Sequence, residues 1–187
     1  MNTKINLCTT CQKAMNPLFI SFRVLTYQGL AIYEYNEFMR QLIYQFKGCF
    51  DYELCKVFLG NFAQEIRLMY SGYTIIPIPS FQGDDETRGF NHVLEISKAI
   101  GLEMMPIIQK TGRHKQATSN LRSREEIYQF LRLKLSPDLR RKKVLIIDDI
   151  YTTGSTIKAA INLIEKLNPK KISVLVVAKA MVKKVNK

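Results

Sequence analysis

Two adjacent carboxylates, Asp148 and Asp149, stand between an aliphatic run at residues 144–147 and a loop of small polar residues. The loop consists of Thr152, Thr153, Gly154, Ser155 and Thr156. An amphipathic stretch with helical spacing follows, so the order is strand, acidic pair, loop and helix. Backbone N–H groups at a helix N-terminus bind phosphate readily. The pattern therefore predicts a phosphate site, and the two carboxylates beside it indicate sugar hydroxyls or a metal-bound polyphosphate.

Other classes of protein also place acidic residues after a buried strand. A P-loop NTPase requires the loop Gly-x-x-x-x-Gly-Lys-Ser/Thr, and neither Gly-Lys-Ser nor Gly-Lys-Thr occurs in this sequence. A phospho-receiver domain requires a phosphate-accepting aspartate on a later strand, and no aspartate follows Asp149. A buried strand followed by a helix that Asp149 or Thr153 simply caps stays open as an interpretation. The order of all the parts favours the phosphate site over such a cap.

Residues 144–156 resemble the phosphoribosyl-pyrophosphate signature of type I phosphoribosyltransferases. Further segments resemble one branch of those proteins, the ComF (ComFC-like) competence proteins. These segments are Pro77-Ile78-Pro79-Ser80 followed by Arg88-Gly89-Phe90-Asn91, the set Arg113, Gln116, Leu121 and Glu125, and residues 33–54. The resemblance covers most of the chain, and the loop after the acidic pair is its most specific part.

This resemblance implies an α/β protein with the parallel-sheet type I phosphoribosyltransferase fold and a mainly helical N-terminal extension. Residues 1–70 would form the extension, with a degenerate zinc-knuckle region, helices and the hood that covers an acceptor base. Residues 71–187 would form the phosphoribosyltransferase-like domain. Residues 1–70 contain no base-reading signature, so the sequence specifies neither the acceptor nor whether a phosphoribosyl group is transferred at all.

The resemblance also implies that phosphoribosyl pyrophosphate binds together with magnesium. The loop residues 152–156 would hold the ribose 5-phosphate, and Gly154 would let the backbone approach it closely. Asp148 and Asp149 would accept hydrogen bonds from the ribose hydroxyls. The same carboxylates would stabilise the positive charge that develops on the ribose as pyrophosphate leaves. They are the candidate catalytic residues.

Pyrophosphate would need cations and a tight turn of its own. The candidate residues are Pro79, Ser80, Arg88 and Lys110. The alternative for residues 77–80 is an ordinary turn at the end of a strand. His92 is expected to be a surface or core residue of a helix rather than a catalyst.

The net charge of the chain is +12, and the excess is concentrated between Lys110 and Lys143. That segment contains eleven basic and three acidic residues, a local net charge of +8. Such a stretch favours anionic partners. Together with the resemblance to competence proteins, it makes single-stranded DNA and a ComFA-like helicase of the uptake machinery candidate partners. The sequence therefore supports two function classes, an enzyme that transfers a phosphoribosyl group and a binding protein that retains the same fold.

Four cysteines bear on the question of zinc. Cys8 and Cys11 have the spacing of a metal knuckle, but the second knuckle common in ComF proteins is missing. Cys49 and Cys55 could complete four ligands only if the chain folds back, so we expect zinc to be absent. The beginning of the sequence lacks an apolar signal core, and the longest apolar stretch, residues 172–182, is too short to span a bilayer. These features predict a cytoplasmic protein.

The elements that must position these residues follow from the apolar spacing. Residues 34–70 predict two helices broken at Gly48, after a mixture of loop and short strand over residues 1–30. Residues 80–89 are expected to form a polar loop and residues 90–100 a helix. Strands are predicted at residues 73–78, 104–109, 130–135, 144–147 and 171–177, and a helix at residues 121–127. Strands that alternate with helices predict a parallel sheet whose carboxyl edge carries the ligand.

Overall fold

The computed structural model describes residues 7–112 and 130–181. A five-stranded sheet lies at its centre, and two further strands form a small separate sheet. The strands are β1 (Pro17–Val24), β2 (Tyr27–Glu34), β3 (Tyr73–Pro77), β4 (Ile108–Lys110), β5 (Leu131–Leu133), β6 (Lys143–Tyr151) and β7 (Lys171–Lys179). The central sheet thus has the order β1-β2-β7-β6-β3, and β4 and β5 form a separate antiparallel pair.

Helices cover both faces of the central sheet. They are α1 (Thr9–Met15), α2 (Glu37–Gly48), α3 (Cys55–Leu59), α4 (Ala63–Met69), α5 (Gln82–Arg88), α6 (His92–Lys98) and α7 (Ser155–Glu165), with short 3₁₀ turns at Tyr52–Leu54 and Gly60–Phe62. Helices α2, α3, α4 and α6 pack in one core, and α7 packs in the other. Every strand pairing in the central sheet is parallel except β1 with β2. The predicted α/β class with a largely parallel sheet is confirmed. Within the described residues, no helix is long and apolar enough to cross a membrane.

Strand β6 lies inside the sheet, between β3 and β7. Both of its faces are buried because helices cover the sheet on either side. Leu145 and Ile147 belong to the core beneath α2 and α6, whereas Val144 and Ile146 belong to the core beneath α7. All four side chains have 0% exposure. A strand with two covered faces requires a continuous aliphatic run rather than an alternating one, as the sequence has here.

The N-terminal segment contributes more to the sheet than the sequence predicts. Residues 17–34 form two eight-residue strands, β1 and β2, instead of a mixture of loop and short strand. Strand β2 pairs in parallel with β7, with Ala31 opposite Val176. The division of the chain at residue 70 stays a prediction, but the central sheet crosses it.

Two further expectations need correction. Residues 82–88 form helix α5 rather than part of a polar loop, because Asp84 and Asp85 lie favourably in its first turn and Gly89 ends it with a φ of 84°. The strand predicted at residues 104–109 is limited to β4. Met104 makes only an isolated bridge with Ile75, and Pro106 between them has no N–H to continue a ladder.

The remaining predicted elements divide into two groups. The short strand expected at residues 130–135 is confirmed as β5. The helix predicted at residues 121–127 and the ComF-like set Arg113, Gln116, Leu121 and Glu125 lie outside the described residues.

Removing part of Ile146 should destabilise the fold, because its side chain is fully buried in the central strand. We expect Ile146→Ala to lower the free energy of unfolding by about 2–5 kcal/mol, from lost burial and a residual cavity. Leu68→Ala is the matched control, since Leu68 is 79% exposed and should leave stability nearly unchanged. Urea denaturation measures both, and equal effects of the two substitutions would contradict the described core.

Candidate functional site

Asp148 and Asp149 lie at the carboxyl end of β6, and we call these two residues the acidic tip. Each is 8% exposed. The Asp148 Oδ1 atom accepts a hydrogen bond from the Asp149 N–H at 2.9 Å, and Asp149 Oδ1 accepts one from the Ile150 N–H at 2.7 Å. Because β6 is an inner strand of a parallel sheet, the acidic tip occupies the edge where ligands bind in such folds.

Two side chains from other parts of the chain reach Asp149. Lys47 Nζ, from the last turn of α2, donates to Asp149 Oδ2 at 2.7 Å. His92 Nε2, from the first residue of α6, lies 3.1 Å from the same oxygen. Sequence analysis did not identify Lys47. The available signals were its place beside the core-facing Phe46 in the predicted helix and its position in the ComF-like segment 33–54, and neither points to a particular partner.

The two carboxylates of the acidic tip have opposite pKa shifts. Burial and the neighbouring charge of Asp149 raise the pKa of Asp148 well above its ordinary value. Burial alone would also raise the pKa of Asp149, but the charges and hydrogen bonds of Lys47 and His92 hold it well below that value. The surroundings therefore favour the ionised form of Asp149 and disfavour the ionised form of Asp148.

His92 and Lys47 respond to the same contacts. Burial lowers the pKa of His92, and the nearby Asp149 carboxylate only partly opposes this effect. Burial would lower the pKa of Lys47 as well, but the charge of Asp149, its hydrogen bond to Lys47 and the charge of Asp148 together outweigh burial, and the net shift is upward. The ion pair between Lys47 and Asp149 is thus the charged interaction at the centre of the site.

A hydrogen-bond network connects the acidic tip to the turn after β3. His92 Nδ1 lies 2.8 Å from Ser80 Oγ, and the Ser80 hydroxyl donates to Asp85 Oδ1 at 2.6 Å. Asn91 Nδ2 donates to the other oxygen of Asp85 at 2.8 Å. His92 is therefore a buried helix residue, as predicted, and it also joins Ser80 to Asp149.

Arg88 has partners within the protein, although it was expected to face pyrophosphate. Its side chain is 7% exposed, and Nη1 donates to Asp85 Oδ1 at 3.1 Å. Its Nε donates to the Lys47 carbonyl oxygen at 3.1 Å, and its guanidinium lies 5.6 Å from the centre of the Phe90 ring. A buried guanidinium must be paired in this way. Arg88 consequently positions the end of α2 and the turn at Ser80.

The loop after the acidic tip leads directly into α7. Gly154 has a φ of 73°, a left-handed conformation that favours glycine, and it precedes the first residue of the helix. A Cβ atom at this position would lie 2.5 Å from the Tyr151 hydroxyl oxygen. Thr153 Oγ1 and Ser155 Oγ lie 2.8 Å apart. Thr152 and Thr153 are exposed, and Ser155 and Thr156 are half-buried. The first N–H groups of α7 and these hydroxyls therefore offer donors to an anion.

Three of the predicted pyrophosphate residues, Pro79, Ser80 and Lys110, line one cavity of 510 Å³. Strand β4 brings Lys110 to this place, because Lys110 bridges Phe81 in the segment after β3. Lys134 lines the same cavity from the segment after β5. The cavity shares Ser80 and Asp85 with the network that reaches Asp149, and its two lysines suit an anionic group.

The cysteines form no metal site within the described part of the chain. All four are free thiols, and the Cys11 N–H donates to Cys8 Sγ at 3.3 Å. Across residues 7–112 and 130–181, no group of three or more His, Cys, Asp or Glu side chains could hold a metal ion. The absence of zinc in the protein stays a prediction.

The sequence of this chain is similar to those of several known proteins. Residues 86–187 match the phosphoribosyl transferase domain family. Competence protein ComFC of Streptococcus pneumoniae is 32% identical over 143 residues, which cover 76% of this chain and 64% of that protein. Competence protein ComFC of Bacillus subtilis is 25% identical over 146 residues, covering 76% and 60%. An adenine phosphoribosyltransferase of Francisella tularensis is 32% identical over 94 residues, covering 49% and 53%. The chain spans less than two thirds of the length of each of these relatives.

The opposite pKa shifts of the acidic tip predict opposite effects of the same substitution. Because the pKa of Asp148 is raised in the folded protein, its ionised form costs stability above the ordinary pKa of about 3.9. Asp148→Asn keeps the acceptor for the Asp149 N–H and removes that cost. It should increase the free energy of unfolding at pH 8, and the gain should shrink as the pH falls toward 4.

Asp149→Asn is the matched comparison at the adjacent position. The lowered pKa of Asp149 contributes stability above its ordinary pKa, and this contribution is lost as the pH falls through the folded value. The substitution removes the charged hydrogen bond from Lys47 and should lower the free energy of unfolding at pH 8 by about 1.5–3 kcal/mol. Urea denaturation at several pH values tests the pair, and effects of the same sign at pH 8 would refute the division of charge.

Proposed function

Since this chain belongs to the phosphoribosyl transferase domain family and is ComFC-like within it, we propose that it binds phosphoribosyl pyrophosphate together with magnesium. The acidic tip and the loop before α7 would form the binding site. One observation carries the proposal. Asp148 and Asp149 lie near the carboxyl end of the central strand β6, and the Gly154 turn and the start of α7 follow within the same short segment.

Each part of this segment has a task that suits its chemistry. The N–H groups at the start of α7 and the hydroxyls of Thr153, Ser155 and Thr156 bind the ribose 5-phosphate. The carboxylates of the acidic tip accept hydrogen bonds from the ribose hydroxyls. If the bond to pyrophosphate breaks, positive charge develops on the ribose ring, and the ionised Asp149 stabilises it because the carboxylate is already held in place.

The pyrophosphate group fits the cavity lined by Ser80, Lys110 and Lys134. Arg88 acts on this cavity through Ser80 and Asp85 rather than by contact with the ligand. The residues present would suit a magnesium ion that is bound to the pyrophosphate group of the ligand. Such an ion is usually held by substrate phosphates and water, with few protein ligands. It would neutralise part of the charge of the pyrophosphate group.

The relatives named competence protein ComFC support a proposal about the cellular process as well as the ligand. We place this chain in competence, in the uptake of DNA during transformation, with phosphoribosyl pyrophosphate as its ligand. Binding does not depend on transfer to an acceptor base, so the proposal holds for an enzyme and for a protein that only binds the ligand. A cytoplasmic location and a ComFA-like helicase partner accompany this role.

A second candidate function, binding of single-stranded DNA, is favoured by the basic stretch between Lys110 and Lys143. In its described part, Arg132, Lys134, Arg140 and Arg141 are exposed. Arg140 forms an ion pair with Asp138, and Lys142, which is also in the basic stretch, forms one with Glu103. The stretch would then bind nucleic acid through its remaining charge, weakly and without sequence preference.

Calorimetry with phosphoribosyl pyrophosphate and excess magnesium tests the first function. Wild-type protein should bind, and Asp149→Asn should weaken binding on the order of 10- to 100-fold through loss of a charged hydrogen bond. Gly154→Ala should weaken binding as well, because the added Cβ meets Tyr151 and displaces the loop.

Gly72→Ala is the control for backbone strain. Gly72 has a φ of 76° and lies before the amino end of β3, at the opposite edge of the sheet, with nothing within 4 Å of an added Cβ. This variant should bind like the wild type. Unchanged affinity in Asp149→Asn and Gly154→Ala, with folding intact, would exclude the proposed site.

Fluorescence anisotropy with a labelled single strand tests the second function. The affinity should fall with salt, with a slope of about −0.7 per phosphate contacted. Reversal of Arg140, Arg141, Lys142 and Lys143 to Glu should flatten this slope. A control variant changes the net charge equally by reversing Lys13, Lys56, Lys166 and Lys170, which are exposed elsewhere. Equal flattening in both variants, or binding that ignores salt, would argue against a specific basic surface.

A further inference from the structure

The acidic tip presents an electrostatic difficulty for the ligand proposed above. Phosphoribosyl pyrophosphate carries negative charge on all of its phosphate groups. Asp148 and Asp149 come shortly before the proposed phosphate-binding loop, and His92 connects Asp149 to Ser80, which lines the proposed pyrophosphate cavity. Like charges repel strongly where burial reduces the effect of solvent, and both aspartates are 8% exposed. A site with two free carboxylates would therefore bind such a ligand poorly.

Lys47 forms an ion pair with one of these two carboxylates, that of Asp149. Its ammonium group lies 2.7 Å from Asp149 Oδ2, and its side chain is 33% exposed whereas that of Asp149 is 11% exposed. The Lys47 side chain is thus the more exposed member of this ion pair. His92 contacts the same oxygen from within the protein, with 6% side-chain exposure.

The position of Lys47 is fixed at both ends of the residue. Its carbonyl oxygen accepts a hydrogen bond from Arg88 Nε at 3.1 Å, and Arg88 is itself held by Asp85. Its side chain ends on Asp149. The ammonium group of Lys47 and the carboxylate of Asp149 oppose each other in charge at 2.7 Å, and the raised pKa of Asp148 disfavours a second negative charge beside them.

We propose that Lys47 is a positioning residue that neutralises the acidic tip and thereby allows a polyanionic ligand to bind beside Asp149. This inference rests on the proposed function and adds to it a residue from the N-terminal helices. Lys47 acts by holding the ionised Asp149 in orientation for the ribose hydroxyls while it cancels the charge that the phosphate groups would otherwise meet.

A lysine that merely braces the fold would give a different result from one that compensates charge. Loss of a brace weakens every ligand of the site to a similar degree, because the site itself is distorted. Loss of charge compensation weakens a ligand more when the ligand carries more negative charge. The comparison of ribose 5-phosphate with phosphoribosyl pyrophosphate separates the two cases, since both contain the same ribose and the same 5-phosphate.

The experiment measures the affinity of both ligands by calorimetry at low ionic strength, with magnesium in excess. Lys47→Gln keeps a hydrogen-bond donor and removes the charge. It should weaken phosphoribosyl pyrophosphate at least about 10-fold more than ribose 5-phosphate, and added salt should reduce the difference. Lys47→Arg keeps the charge and should preserve the ratio of the two affinities. Lys56→Gln, which removes an equal charge from an exposed pair with Glu53, should also preserve it.

The possible outcomes distinguish a failure of the proposed ligand binding from a failure of the proposed role of Lys47. If wild-type protein binds neither ligand, the proposed function fails before any variant is made, and the inference falls with it. If wild-type protein binds both and Lys47→Gln weakens both equally, only the inference is overturned. A changed ratio in Lys56→Gln as large as that in Lys47→Gln would likewise overturn it.

A second measurement on wild-type protein covers the case in which Lys47→Gln does not fold. Phosphoribosyl pyrophosphate should slow the acetylation of Lys47 by an amine-specific reagent several-fold, as followed by mass spectrometry. The rate at the exposed Lys56 in the same sample should stay constant. Equal rates at Lys47 with and without the ligand, at a ligand concentration that saturates the protein, would overturn the proposal.

Discussion

The burial of Asp149 is the constraint on which the arrangement of the site depends. A carboxylate at the end of a strand covered on both faces is stable in its ionised form only if a cation and hydrogen-bond donors reach it. Here the cation comes from α2 and a second contact comes from α6, while the backbone of Ile150 supplies a donor. The helices on one face of the sheet are thus tied to the central strand by charge as well as by apolar packing.

The same constraint explains why the turn after β3 is connected to the acidic tip. His92 contacts Asp149 with one ring nitrogen and Ser80 with the other, so its two contacts fix the distance between the two regions. Asp85 accepts hydrogen bonds from Ser80, Arg88 and Asn91, which gives this partly buried carboxylate its own set of donors. In the ComF-like segment Arg88-Gly89-Phe90-Asn91, the side chains of Arg88 and Asn91 therefore stabilise the site through their hydrogen bonds to Asp85.

The sequence could predict the features that follow from covalent order. The aliphatic run, the acidic tip, the Gly154 turn and the start of α7 are consecutive. Their residue types therefore predict a phosphate loop, and the resemblance that they carry implies the type I phosphoribosyltransferase fold. The contact between Lys47 and Asp149 joins residues 102 positions apart, and no local pattern specifies it. The sequence makes Arg88 a candidate pyrophosphate ligand because that group needs cations, and only the tertiary structure shows the partners that Arg88 has within the protein. The hairpin of β1 and β2 was missed because Leu25, with a φ of 54°, stands where a glycine or asparagine would signal the turn.

The parallel pairing of β2 with β7 affects how the molecule reaches its native state. The register that places Ala31 opposite Val176 joins strands from opposite ends of the described chain. During synthesis, the β1–β2 hairpin emerges long before β7, its neighbour in the sheet. The apolar residues of the hairpin cannot be buried against β7 until that strand has been made. Contacts between such distant segments require closure of a long loop before they stabilise anything, which slows folding. Until β7 is made, the edge of β2 is open to pairing with other chains, so nascent molecules of this protein are candidates for chaperone binding.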